Sequence, residues 1–562
     1  MILHQRLLVG MLYAIPLLFL ALFFFYPLLS ILVVSFAPEG VFDLRALHKL
    51  VSSGYYVRTL GFTVWQAALS TFLTVVLALP GAYIFARYRF PGKWLLQALT
   101  TIPFVLPTVV VANAFSALLG PQGRLNLLLM ALLGRSEPVI DLQHTIWIIL
   151  AAHVFYNYAV VLRIVGGFWA NLNPRLEEAA RVLGARPYAV WWHVTLPLLM
   201  PALSASALLV FIFCFTSFGV ILILGGPRFA TLEVEIYRQT VNYFNLPMAA
   251  ALSMIQIIFT FGLMWLYTQL QRRSSVPLDM RAIAQTQRYP TSWRARVLVG
   301  ANVAAMMIGL LLPLLALVER SFTLGGSITL RYYTELFINR RDALLYVPPI
   351  QAALNSLGFA VATMVLALAL GILGAAMLAQ PARTKSGQRL QSLLDPLLML
   401  PLGTSAVTLG FGFIVALDEP PLNLRTSLLL IPVAHALVAF PFVVRAVLPA
   451  LRAIKPSLRE AAAVLGAAPW RAWREVVLPI IGRAVLAAAV FAFTISMGEF
   501  GATALIARPQ MPTLPVAIFR FLGQPGLLNY GQALAMSTIL MLVCTVGMLA
   551  IERFRIAGVG EF

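Results

Sequence analysis

Two short stretches of this chain carry residues suited to gripping another protein. Glu178-Ala179-Ala180 is followed after three residues by Gly184, and after nine more by Val194-Thr195-Leu196-Pro197. Glu460-Ala461-Ala462, Gly466 and Val476-Val477-Leu478-Pro479 repeat that order at a constant offset of 282 (460 − 178). Alanine lets a second surface approach closely, while the flanking glutamates and arginines fix register through polar contacts. The chemistry implied is docking, not bond breaking. A single surface helix of this kind more commonly packs on its own loops; two at identical spacing favour a partner.

A second set consists of polar groups inside apolar runs: Asn113, His153, Tyr156, Asn157, Tyr158, Ser217, His435, Ser496 and Glu499. Such groups are expensive in hydrocarbon and are candidates for a solute pathway. The plainer reading of each is a hydrogen bond to a neighbouring helix. Glu499 stands apart: it is the one acid in its run, and its repeat counterpart is Ser217 (499 − 282). Unpaired, it would attract a cationic solute, aided by tyrosine faces; the alternative is pairing with an arginine. Glu499, Ser217, His153, Asn157, Tyr158 and His435 are therefore the candidate pathway residues.

Other chemistries lack their residues. No Gly-x-x-x-x-Gly-Lys-Ser/Thr run is present to cradle phosphates; Gly92-Lys93 is followed by Trp94 and lacks the upstream glycine. Six histidines without a close cluster give neither a metal site nor a membrane enzyme, and Cys214 and Cys544 lie in apolar runs as small core residues. No cofactor is expected on this chain.

The docking stretches need a helix-turn-helix. Asn173 can cap and Pro174 suits a first helical position. Leu176, Ala179, Ala180 and Leu183 fall at i, i+3, i+4 and i+7 of a short helix that Gly184 stops. In the second copy Ser457 and Glu460 have capping-box spacing, and Gly466 ends the same stripe. The duplication extends further at the same offset: Ala152-His153 with Ala434-His435, Phe218-Gly219 with Phe500-Gly501, Thr231-Leu232 with Thr513-Leu514. Upstream the offset becomes 297 (357 − 60), at Leu60-Gly61-Phe62 and Leu357-Gly358-Phe359, which reads as about fifteen extra residues (297 − 282) in the second copy.

These elements sit in a chain that is 61% hydrophobic and 11% charged over 562 residues. A helix crossing hydrocarbon ~30 Å thick needs about 20 apolar residues. Twelve runs qualify, near 7–36, 59–86, 97–119, 144–169, 196–224, 247–270, 296–318, 353–378, 391–416, 427–448, 478–505 and 530–551. The net charge of +20 concentrates in alternate loops (Arg87, Arg89 and Lys93; Arg175, Arg181 and Arg186; Arg452, Lys455 and Arg459), which marks them as cytoplasmic and places both termini inside. The charge is thus topology and implies no nucleic acid. The expected fold is an all-α polytopic membrane protein of two parallel six-helix repeats, 1–271 and 297–562, joined by a basic cytoplasmic linker, 272–296.

The twin Glu-Ala-Ala…Gly…Leu-Pro pattern resembles the signature of the integral-membrane subunits of binding-protein-dependent ABC importers, over nearly the whole chain. The resemblance implies that Glu178, Ala179, Ala180, Gly184 and Pro197, with Glu460, Ala461, Ala462, Gly466 and Pro479, couple to two copies of a cytoplasmic ABC ATPase, which holds the ATP. It implies also a periplasmic solute-binding protein, a small-molecule substrate and residence in the bacterial inner membrane. Two halves fused in one chain resemble the thiamine/thiamine-pyrophosphate permeases and the ferric-iron permeases. The segment Phe215–Gly226 followed by Thr231–Arg238 looks like the thiamine type. A gradient-driven secondary transporter is the rival of different class, and it would leave the twin loops unexplained.

Overall fold

A computed structural model describes residues 2–38, 40–273, 286–340, 345, 347–380, 384–418, 420 and 422–554. Among the described residues, ten helices are long and apolar enough to cross a membrane, and the number of candidate spans rises to twelve when each of two bent pairs counts as one. The bends replace straight crossings expected near 97–119 and 391–416. Lys93–Val105 turns by 105° into Thr108–Leu133, and Gln388–Gly403 turns by 96° into Ala406–Ala416. The cause is local. Leu106 precedes Pro107 and is driven to extended backbone (φ −66°, ψ 140°). In the second copy the Ser405 hydroxyl accepts from Val407 N and Thr408 N, capping the new helix.

Spans five and eleven also depart from expectation. Each starts earlier, at Pro187 and Pro469, inside the docking stretch. Each stops earlier too, at Phe215 and Gly498, before a short helix, Gly219–Leu224 or Thr503–Ile506. Both pass through one π-helical turn, Trp191–Thr195 and Trp473–Val477, before Pro197 and Pro479. Proline has no N–H to give to the preceding turn, and its ring crowds the carbonyl four residues back. The wider turn relieves both. The second helix of each helix-turn-helix and the membrane span are therefore one continuous rod, while the short helix before Gly184 or Gly466 stays separate from it.

The two halves are parallel repeats, and their first spans exchange. Span one (Met11–Phe36) packs on spans six, eight and nine, and span seven (Trp293–Ser321) on spans two, three and twelve. Gly412 lets Pro27 of span one approach, since a Cβ there would lie 3.0 Å from the proline ring. The core is continuous across both halves.

The surplus residues lie in the first copy, the reverse of the expectation. Leu60 to Ala152 spans 92 residues (152 − 60), against 77 (434 − 357) between their counterparts. The excess falls in the connection between spans three and four, which carries Arg124–Leu133. Of the linker, 274–285 lie outside the described residues, and the flanking helices extend to Arg273 and from Trp293. Its end is fastened to the first half: Arg288 N donates to Arg87 O and Arg89 N to Arg288 O, each at 2.9 Å. Thr286 Oγ1 donates to Ala170 O at 2.5 Å.

Candidate functional site

The two short helices of these stretches, Arg175–Val182 and Pro456–Val464, differ from the membrane spans in being largely exposed, with Ala462 the buried exception. No residue of the first is buried, and Glu178, Ala179, Glu460 and Ala461 are all exposed. Val182 and Leu183 are 87% and 88% exposed; Val464 and Leu465 match them at 88% and 87%. Each copy therefore presents an exposed apolar tip at the same position.

Each helix closes on its glycine for a backbone reason. Gly184 (φ 85°) and Gly466 (φ 81°) are left-handed, and a Cβ at either would meet no atom within 4 Å, so the demand is conformation and not space. Ala185 N reaches Ala180 O and Gly184 N reaches Arg181 O; Ala467 N to Ala462 O and Gly466 N to Ala463 O copy the pair at matching distances. This satisfies the last carbonyls and reverses the chain. At the opposite end the Asn173 side-chain Oδ1 accepts from Arg175 N. The capping box expected at Ser457 does not form: Lys455 precedes the helix, Pro456 takes its first position, and no side chain caps it. Proline already supplies the fixed φ and removes one orphan donor, so the hydroxyl is not needed.

The copies part company at their anchorage. Arg87, buried at the end of span two, donates to Glu177 Oε1 at 2.9 Å and to Leu172 O at 3.2 Å. This ties the first docking helix to the membrane body. The position of Glu177 is Arg459 in the second copy. Among the described residues, the second stretch's ion pair is Arg471 with Glu475, internal to the loop. Below the first helix lies a groove of about 410 Å³, lined by Tyr83, Trp169, Glu177, Arg181 and Trp191 among others.

Most candidate pathway residues are engaged within their own halves. His153 bonds Ser70 Oγ (2.9 Å) and Ser217 Oγ (2.8 Å), joining spans two and four to the break after span five. Asn157 Nδ2 donates to His153 O, and Tyr158 lies over Gly81, whose added Cβ would be 2.4 Å from its hydroxyl oxygen. His435 bonds Ser496 Oγ (2.7 Å) and Thr503 Oγ1 (2.8 Å). Glu499 is buried and pairs with His435 at 3.1 Å, not with an arginine. Its carboxylate also accepts from Ala502 N (2.8 Å) and Thr503 N (3.1 Å), capping the short helix that follows. Spans are fastened by these bonds.

The two halves meet in an aromatic row. Phe218 and Phe500, repeat counterparts, stack at 5.4 Å across the interface. Tyr237 flanks Phe218 and its counterpart Phe519 flanks Phe500, each at 5.4 Å. Two buried acids beside this row escaped the search of apolar runs because they fall between spans five and six. Glu235 accepts from Tyr55 (2.8 Å) and Gln239 (2.7 Å). Glu233, fully buried, accepts from Gln256 and from Ser405 of the opposite half (2.6 Å). The signal available was a break in the repeat: their counterparts are Pro515 and Ala517.

Comparison with known proteins agrees with this architecture. The family model for the binding-protein-dependent transport system inner membrane component matches twice, at residues 78–276 and 367–555. The thiamine transport system permease protein ThiP of Escherichia coli (strain K12) is 27% identical over 506 residues, 89% of each chain. A putative 2-aminoethylphosphonate transport system permease protein, PhnU of Salmonella typhi, is 28% identical over 263 residues, 47% of this chain and 91% of its own. A crystal structure of a bacterial ABC transporter involved in the import of the acidic polysaccharide alginate covers 49% of this chain at 19% identity and a TM-score of 0.41. With two matches that together span more than half of its length, this multi-pass membrane chain belongs to the family of binding-protein-dependent transport system inner membrane components.

Proposed function

We propose that this chain is the complete two-half membrane pathway of an ATP-driven importer that carries thiamine or thiamine pyrophosphate inward from an external binding protein. The coupling surfaces are Glu178, Ala179, Ala180 and Gly184 with Pro197, and Glu460, Ala461, Ala462 and Gly466 with Pro479. Each receives one copy of a cytoplasmic ATPase, and ATP stays on that partner. The docking side is the basic side of the membrane, which puts both termini in the cytoplasm. The observation that carries the reading is the pair of exposed apolar tips, Val182-Leu183 and Val464-Leu465, each one glycine turn before the rod that starts at Pro187 or Pro469 and runs on as span five or eleven. Burying one such side chain contributes about 1.5–3 kcal/mol. A push on either tip crosses the tight glycine turn and then passes along helix as far as the break before the Phe218–Phe500 contact.

The cargo reading is supported by end-to-end similarity to a thiamine permease. The deciding experiment reconstitutes the chain in vesicles with its ATPase and binding protein. With ATP supplied and ion gradients collapsed, labelled thiamine should accumulate and ferric iron and 2-aminoethylphosphonate should not. Accumulation that requires a gradient would return the protein to the secondary carriers. Uptake of one of the other solutes in place of thiamine would replace the cargo and leave the importer.

A further inference from the structure

Glu233 has two neutral donors, the Gln256 amide and the Ser405 hydroxyl, and no cationic partner among the described residues. Its side chain is wholly shut from water. A carboxylate so placed is expensive unless a positive charge completes it. Buried polar atoms around it lack partners. Gln256 Oε1, Thr408 Oγ1 and Ser253 Oγ are buried with no partner. Gln256 itself holds Glu233, and Ser253 is one turn before it on span six. Thr408 N bonds the Ser405 hydroxyl that reaches Glu233.

The position is as informative as the composition. Glu233 and Tyr237 stand at i and i+4, one face of a short helix, so the carboxylate lies one turn from the ring that packs on Phe218. Ser405 belongs to the second half, and Glu233 and Gln256 to the first. Parting the halves between Phe218 and Phe500 removes the Ser405 donor and bares the carboxylate beside two aromatic faces.

We propose that Glu233, with Gln256 and the Phe218 and Phe500 faces, forms a cation-binding site that is closed in this conformation and opens when the halves separate. Its ligand is an organic cation carrying a flat ring. Ring faces one turn from a carboxylate that has no charged partner favour such a group through cation–π attraction. A metal ion would find no cluster of three acidic, histidine or cysteine ligands among the described residues. Because the counterpart of Glu233 is Pro515, one chain holds one such site. The choice of thiamine's positively charged ring as the physiological ligand rests on the cargo reading above; the charge preference does not.

The test uses the full complex in vesicles and a Ser405→Cys variant. The native cysteines, Cys214 and Cys544, are both buried and serve as the blank. During ATP turnover, Cys at 405 should react about tenfold faster with a trimethylammonium-ethyl methanethiosulfonate than with the sulfonate analogue of the same size. Adding Glu233→Gln should abolish the preference. Adding Glu235→Gln should keep it, because that carboxylate is already satisfied by Tyr55 and Gln239. Equal rates for the two reagents overturn the site, as does a preference that survives Glu233→Gln. In parallel, Glu233→Gln should lower thiamine uptake about tenfold while binding-protein-stimulated ATP hydrolysis persists. If the wild type carries no thiamine and the charge preference at 405 remains, the cargo reading fails and the site stands.

Discussion

The first and second halves of this protein share their hinges and differ in their charges. Gly184 and Gly466 adopt the same left-handed turn, the π-helical turns before Pro197 and Pro479 coincide, and Phe218 meets Phe500 as its own counterpart. Around these fixed points the ionisable groups diverge. Glu177 faces Arg87 in one half, and the matching residue is Arg459 in the other. His153 rests between two hydroxyls, whereas His435 meets a carboxylate. Glu233 has Pro515 as its twin. Backbone geometry is what a two-fold mechanism must duplicate, because both arms have to bend alike. Side-chain charge need not be duplicated, because a single solute on the axis meets the two walls once each.

The largest effect should come from attacking what the halves share. Valine at both Gly184 and Gly466 places a branched side chain in a left-handed turn, at about 1–2 kcal/mol or more per site. ATP-driven uptake should fall more than tenfold and the ATPase should no longer co-purify; each single variant should lose less. Full activity in the double variant would break the case for equivalent arms.

The next effect should expose what the halves do not share. His435→Leu leaves the buried Glu499 carboxylate with neutral donors alone and should cost about 3 kcal/mol, as removing one partner of a buried pair does. His153→Leu leaves only hydroxyls that can turn to other acceptors, at about 1–2 kcal/mol. Thermal unfolding in detergent would rank them, and the reverse order would sink the comparison.

A smaller change is expected at the docking helices. Arg87→Met frees Glu177 and should cost about 1–2 kcal/mol locally. Amide exchange over 175–182 should rise to match that of 456–464, and an unchanged contrast would show that the ion pair does not set it.

The smallest effect belongs to the outer connection of the second half. There the hydrogen bond from Arg340 holds the Glu335 carboxyl below its ordinary range. A lowered value stabilises the fold above the ordinary carboxylate range, and the contribution is lost as pH falls through the lowered one. Arg340→Met should therefore reduce thermal stability slightly at pH 7 and not at pH 3. An equal reduction at both would assign the effect to packing.

Sequence by itself determined the helical membrane class, the duplication and the two helix-turn-helix stretches that end on Gly184 and Gly466. Each is written in local physics: runs of apolar residues matched to hydrocarbon thickness, a glycine that only a left-handed turn requires, a proline that starts a helix. It misplaced the surplus residues, drew spans three and nine as straight, and expected a capping box where Pro456 had already taken the position. Tertiary structure decided which polar groups are spoken for. Glu499 and His435 are 64 residues apart (499 − 435) and become partners only when two spans pack. Glu233 and Ser405 lie 172 residues apart and meet only because the halves close on each other. Periodicity records which face of a helix avoids lipid, but it does not record which distant donor that face will find; that depends on how the spans bend and pair.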